Sequence, residues 1–179
     1  PSGLAPHVGR GAVGHEQGID GEGVVAFEQL AKQVVLVELD DQVAAVWKTI
    51  LSEDNEWLVQ RILSFELTRD NVQAELLESH DWSTRQKAFR TILKNRTFHG
   101  GILASGSSLM KNGENGKGVR SRWYPTTLAR RIRLIAKIRD RISFIEGDGI
   151  AVIQKYAPVK RVTFFIDPPY KAGGKKAGT

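Results

Sequence analysis

Val162-Thr163-Phe164-Phe165-Ile166 runs directly into Asp167-Pro168-Pro169-Tyr170. The first five residues are apolar or β-branched and read as a buried strand. Ligands of open α/β sheets bind outside the carboxyl ends of the strands, so the tetrapeptide is expected at the mouth of a site. Its residue types suit a planar ring that carries an amine. A carboxylate accepts a hydrogen bond from an exocyclic amine. Prolines fix φ and lack an N–H, which leaves their carbonyls to point at the same amine. The tyrosine face offers a stacking surface. A Pro-Pro turn with Tyr170 packed on the core is the plainer alternative.

Working upstream, Ile142-Ser143-Phe144-Ile145 reads as a second strand, ended by Glu146-Gly147-Asp148-Gly149. Ile150 to Tyr156 is a short helix that Pro158 terminates. With the strand leading to Asp167 this makes a β-α-β unit, expected to pair in parallel with a right-handed crossover. Thr127 to Arg141 is a helix with Leu128, Ile132, Ile135, Ala136 and Ile138 inward and arginines outward. Val25 to Lys32 is a short helix. Val34-Val35-Leu36-Val37 is a buried strand closed by Glu38-Leu39-Asp40-Asp41, and Val43 to Leu51 is the helix after it. An acid at a strand end is where Rossmann-like folds hold a ribose, and it is also a helix N-cap. Glu38 is assigned to the first role, and Asp40 or Asp41 to the second.

Residues 53–97 read as helical. Leu58, Ile62 and Phe65 form one stripe. Thr68 caps a helix through Leu77 with Val72, Leu76 and Leu77 inward. Ser83 or Thr84 caps the next, with Phe89, Ile92 and Leu93 inward. Residues 1–24 show neither period and read as disordered or irregular. Gly9, Gly11 and Gly14 form a formal GxGxxG, but no strand-like run precedes it, so it fails its own context test.

Composition narrows the classes. With no cysteine among 179 residues, a disulfide framework or thiolate metal site is excluded. The four histidines lack ligand spacing, and no apolar run approaches a membrane span. A cytoplasmic protein with no membrane association and no obligate protein partner is the expectation. Charge is unevenly distributed. Residues 1–84 hold 5 Lys/Arg against 15 Asp/Glu, and residues 85–141 hold 15 against 2. Such a basic block is the footprint of a phosphate-backbone binder, with a solvated basic face as the alternative. Within it, residues 98–125 form a Gly-rich loop bearing Lys111, Lys117, Arg120 and Arg122, residue types that read phosphates and base edges.

Taken in order, these segments resemble the Dam-like DNA adenine methyltransferases from about Val25 to Gly178. Leu93-Lys94-Asn95-Arg96-Thr97-Phe98-His99-Gly100 is similar to the family's L-N-R-x-x-F-N-G stretch, with a lysine inserted and His99 in place of Asn. Asn115-Gly116-Lys117-Gly118 through Arg122-Trp123-Tyr124-Pro125 resembles its recognition hairpin. Gly147-Asp148 resembles its acidic cofactor motif, and Asp167 to Tyr170 its D-P-P-Y motif.

The resemblance implies an α/β fold: a Rossmann-like, S-adenosylmethionine (SAM)-binding sheet formed by residues 25–52 and 126–179. Residues 53–125 would be a helical, basic target-recognition insertion. SAM would be the cofactor and double-stranded DNA the partner, with no metal. Glu38 would hold the ribose, and Gly147 and Asp148 the cofactor adenine. Asp167 would serve both cofactor and catalysis, with Pro168, Pro169 and Tyr170 completing the catalytic set around a flipped adenine. Asn95, Arg96, Lys111, Lys117, Arg120, Arg122, Trp123 and Tyr124 would contact DNA. Two departures accompany it. The family's Phe-x-Gly-x-Gly loop does not occur before Glu38, and the chain stops nine residues after Tyr170. The chain is therefore expected to be a fragment truncated at both ends, with residues 1–24 read out of frame. The rivals are a DNA-binding remnant without activity, amino methylation of cytosine N4, RNA or protein, and a basic α/β domain that is no enzyme.

Overall fold

The computed structural model describes residues 7–9 (backbone only), 31–77, 81–99, 107–111 and 116–166. The fold is α/β. Four strands lie in one sheet: β1 (His7–Gly9), β2 (Val34–Glu38), β3 (Ile142–Glu146) and β4 (Thr163–Phe164). Their order is β3-β2-β1-β4 and every pairing is parallel. Six α-helices accompany them among the described residues: α1 (Asp41–Leu51), α2 (Asn55–Ser64), α3 (Arg69–Leu77), α4 (Thr84–Thr97), α5 (Pro125–Lys137) and α6 (Gly149–Tyr156). None is long and apolar enough to cross a membrane.

β2 explains the layering. Parallel strands are usually covered on both faces and so read as continuous apolar runs, and Val34-Val35-Leu36-Val37 is fully buried. The pleat sends alternate side chains to opposite faces. Val34 and Leu36 pack with Val43 and Trp47 of α1 and with Ile142. Val35 and Val37 pack with Val152 of α6. Helices α1 to α5 build a larger core around Phe89, Leu93, Leu58, Ile62 and Val72. Helix α1 contributes to this core through Ala45, Val46 and Ile50, while its Val43 and Trp47 face β2. It thereby ties the helical layer to the sheet.

Local chemistry sets the helix starts. Asp40 caps α1, its Oδ1 accepting from the N–H groups of Gln42 and Val43 at 3.0 Å each. Thr68 Oγ1 accepts from Asn71 N at 3.1 Å at the start of α3. Ser83 and Gln86 form a capping box before α4. Asp148 caps α6 by accepting from Ile150 N at 2.9 Å.

Several expectations are corrected. A strand does precede the Gly9-Arg10-Gly11-Ala12-Val13-Gly14 stretch: β1 ends on Gly9, inside the segment read as irregular. His-Val-Gly carries no apolar run, and its strand character comes from backbone pairing to β2 and β4 on both sides. The last strand is shorter than expected. It covers only Thr163–Phe164, and Phe165 and Ile166 are 51% and 58% exposed. Leu77 is exposed rather than inward, because α3 is only 9 residues long and packs through Val72 and Leu76. Helix α5 runs from Pro125 to Lys137 and a 3-10 turn covers Arg139–Arg141. Proline at the first helical position has no N–H to leave unpaired and a φ already suited to the helix, so the start falls two residues earlier than the apolar pattern suggests. Most of the Val25–Lys32 helix expectation lies outside the described residues.

Candidate cofactor edge and nucleic-acid face

In a parallel sheet all carboxyl ends lie at one edge. Glu38 and Glu146 are directly paired in register at the ends of β2 and β3. Immediately beyond them, Gly147 N–H donates to the Glu38 carbonyl at 2.9 Å. This bond holds Gly147-Asp148 beside Glu38. Three of the candidate cofactor residues, Glu38, Gly147 and Asp148, are therefore brought together by β2–β3 pairing across more than 100 residues of chain.

The carboxylates at this edge differ in how they are engaged. Glu38 Oε1 accepts from Leu39 N at 2.8 Å and Asp40 N at 2.9 Å, which fixes the turn into α1. No donor reaches its Oε2 among the described residues. Asp148 Oδ1 caps α6, and its second oxygen is similarly unengaged. Glu146 is different, since Lys48 of α1 pairs with it and neutralises the end of β3. Asp41 is pulled below the ordinary carboxylate range by its hydrogen bond to Lys87, and Lys87 is raised by the same contact. Glu38, at the end of β2, and Asp148, two residues beyond β3, thus each keep one carboxylate oxygen that no described donor reaches. Asp167, Pro168, Pro169 and Tyr170 lie outside the described residues, as do Gly11 and Gly14.

Six of the eight candidate DNA residues fall into two groups. Lys111, Lys117 and Arg120 line one cavity of about 350 Å³ beside the 3-10 turn Gly118–Arg120. Arg122, Trp123 and Tyr124 make contacts within the fold. Arg122 donates to the Phe98 carbonyl, and its Nε is buried without a hydrogen-bond partner among the described residues. Trp123 packs edge-on against Phe65 with ring centroids 6.1 Å apart. Tyr124 is half exposed, and its hydroxyl donates to the Ser121 carbonyl at 2.9 Å. Asn95 and Arg96 are half-buried near the end of α4. The strand-like pairing of Phe98 with Leu109 carries the chain from α4 to Lys111. Asn112 to Asn115 lie outside the described residues.

The charge blocks prove partly complementary to each other. Arg85 pairs with Asp54, Lys87 with Asp41, Arg133 with Glu56 and Arg139 with Glu53, at 2.6 to 3.1 Å. Each pair joins the basic block to the acidic N-terminal half. Part of the asymmetry thus fastens α4, α5 and the turn after α5 to α1, α2 and the turn before α2. Lys111, Lys117 and Arg120 make no such pair among the described residues. Sequence reasoning missed Arg69, which lines the same cavity as they do. It sits at the start of α3 in the acidic half, and only the packing of α3 against the loop reveals it.

No family model matches the chain, and no curated protein matches it either.

Proposed function

We propose that the chain is built to transfer a methyl group from S-adenosylmethionine to the N6 amine of adenine in duplex DNA, on a Rossmann-like methyltransferase sheet. The observation that carries this reading is the carboxyl edge, where Glu38 ends β2 and Asp148 follows two residues after the end of β3, with the 2.9 Å bond from Gly147 N to the Glu38 carbonyl between them. The strand order β3-β2-β1-β4 matches the first four strands of the 3-2-1-4-5-6 order of a doubly wound dinucleotide-binding sheet. The strand β4 of the same sheet leads into Asp167-Pro168-Pro169-Tyr170.

The donor set suits the cofactor: one carboxylate oxygen for ribose hydroxyls on Glu38, and one for an adenine amine on Asp148. The cofactor supplies a methyl group activated on a sulfonium. The chain supplies orientation. Asp167 and the Pro168 carbonyl accept hydrogen bonds from the target amine and hold its lone pair towards the methyl, and Tyr170 stacks on the flipped base. Alignment and exclusion of water are the main requirements, because the leaving centre is already activated. A second reading, nucleic-acid binding without catalysis, draws on the cations of the Gly116–Arg120 region, which make no ion pair among the described residues.

Calorimetric titration with S-adenosylmethionine, beside Asp148→Ser, separates the two. Serine caps a helix about as well as aspartate, so α6 keeps its start while the carboxylate is lost. The expected result is binding by the wild type and at least tenfold weaker binding by the variant. Equal affinities would remove Asp148 from the cofactor site, and no binding by a folded wild type would refute the enzymatic reading.

A further inference from the structure

We propose that the cavity between the start of α3 and the Gly116–Arg120 turn is a clamp for a single backbone phosphate of nucleic acid. This inference rests on the reading of the chain as a DNA-binding protein and names where the backbone would be gripped.

Four cations from three separate chain segments line this cavity: Arg69, Lys111, Lys117 and Arg120. Among the described residues no acid lines it, and none of the four is in an ion pair. At about 350 Å³ it lies at the small end of ordinary ligand sites, with room for a phosphate group and its bridging waters. Two of the cations are held in place. Arg69 donates to the Met110 carbonyl at 2.9 Å, and Arg120 Nε donates to the Leu67 carbonyl at 2.9 Å. Each guanidinium carries five N–H donors in a planar fork, so one bond to a carbonyl orients the group and leaves donors for an anion. Holding two guanidinium groups through main-chain carbonyls also lowers the ordering cost of binding.

The backbone of the wall points the same way. Gly116, Lys117 and Gly118 have φ of +70°, −77° and +57°. Such alternation between left- and right-handed residues is the shape of anion-holding nests, in which successive main-chain N–H groups converge. A Cβ at Gly118 would meet the Lys111 carbonyl at 3.5 Å, an ordinary contact, so it is the positive φ and not crowding that calls for glycine at 116 and 118. The glycines thus curve the wall. A phosphate diester is favoured over a carboxylate because its negative oxygens can be met by donors from several directions at once, and the four cations come from both walls.

The test is fluorescence anisotropy of a labelled duplex oligonucleotide against salt, for the wild type and for Lys111→Gln/Lys117→Gln. These two lysines make no side-chain hydrogen bond among the described residues, so the variant is expected to fold, and a thermal melt checks this. Lys155→Gln/Lys160→Gln removes the same charge from exposed positions outside the cavity. The expected result is a drop of about 0.9 in the slope of log K against log salt for the cavity variant, the value of one lost phosphate contact. At 0.1 M salt this is about a tenfold loss of affinity. The slope of the control stays at the wild-type value. An unchanged slope in the cavity variant, or an equal fall in both variants, overturns the clamp while leaving DNA binding intact. A folded wild type that binds no duplex overturns the DNA reading and the clamp together. Inorganic pyrophosphate is titrated in parallel. Lysine-dependent stabilisation by pyrophosphate without a change in the duplex slope would assign the cavity to a free phosphate ligand and overturn the backbone proposal.

Discussion

Glu38→Gln separates the architectural role of this residue from its proposed role at the cofactor. One carboxylate oxygen accepts both Leu39 N and Asp40 N, at 2.8 and 2.9 Å. The amide oxygen of glutamine can take that position and keep both bonds. Charge-assisted hydrogen bonds are about twice as strong as neutral ones, and a typical bond contributes about 0.5–1.5 kcal/mol net. Losing the charge should therefore cost about 1 kcal/mol of stability, a fall in Tm of about 2–4 °C for a chain of this size. Ribose hydroxyls held by the second oxygen would lose a charged acceptor worth about 1.5–3 kcal/mol, or about 10- to 150-fold in Kd. Thermal melts read the first quantity and calorimetry with S-adenosylmethionine reads the second. A variant destabilised as expected but binding the cofactor with wild-type affinity would refute the ribose assignment. Glu38 would then only close the turn between β2 and α1.

Three further outcomes are expected. Glu56 is lowered from 4.5 to about 2, first by its hydrogen bonds with Arg133 and then by Gln60. A depressed carboxylate contributes its stability above the unfolded value and loses it as pH falls towards the folded one. The difference in urea midpoint between wild type and Glu56→Gln should therefore shrink as pH falls from about 4.5 to about 2, and a difference independent of pH would contradict the pairing. Phe89 is 1% exposed, meets Phe65 edge-on at 5.3 Å and lies under the Arg61 guanidinium at 4.7 Å. Phe89→Ala should cost about 3–5 kcal/mol, and a loss under about 1 kcal/mol in chemical denaturation would show that this core is not cooperative. Arg122→Ala should destabilise by about 1–3 kcal/mol by leaving the Phe98 carbonyl without its donor. A binding defect with unchanged stability would instead return Arg122 to the nucleic-acid face.

Much of the frame is legible in the chain because it is written locally. Val34 to Val37 is a largely β-branched, apolar run that reads as a buried strand, and it is one. The Ser83-Gln86 spacing and the Thr68 cap mark helix starts that side-chain oxygens determine within three residues. Asp40 and Asp148 are harder, because one residue type serves both cap and ligand. Both are caps, and only the geometry shows a second oxygen left over. What is written non-locally was missed. His7 to Gly9 is a strand because of its neighbours on both sides, not its side chains. Arg69 lies in an acidic segment and reaches the basic loop through the packing of α3. Arg122 and Trp123 look like nucleic-acid readers by type, yet their places are set by the Phe98 carbonyl and the Phe65 ring. The basic block reads as one footprint, whereas Arg85, Lys87, Arg133 and Arg139 pair with acids of the other half.

The central claim is methyl transfer to an adenine amine. Duplex DNA incubated with the chain and S-adenosylmethionine, then digested to nucleosides and analysed by mass spectrometry, tests it most directly, with Asp167→Ala alongside. The account predicts N6-methyladenine from the wild type and none above background from the variant. Wild-type protein that binds both the cofactor and DNA yet yields no methylated adenine would contradict it, as would equal yields from the two proteins.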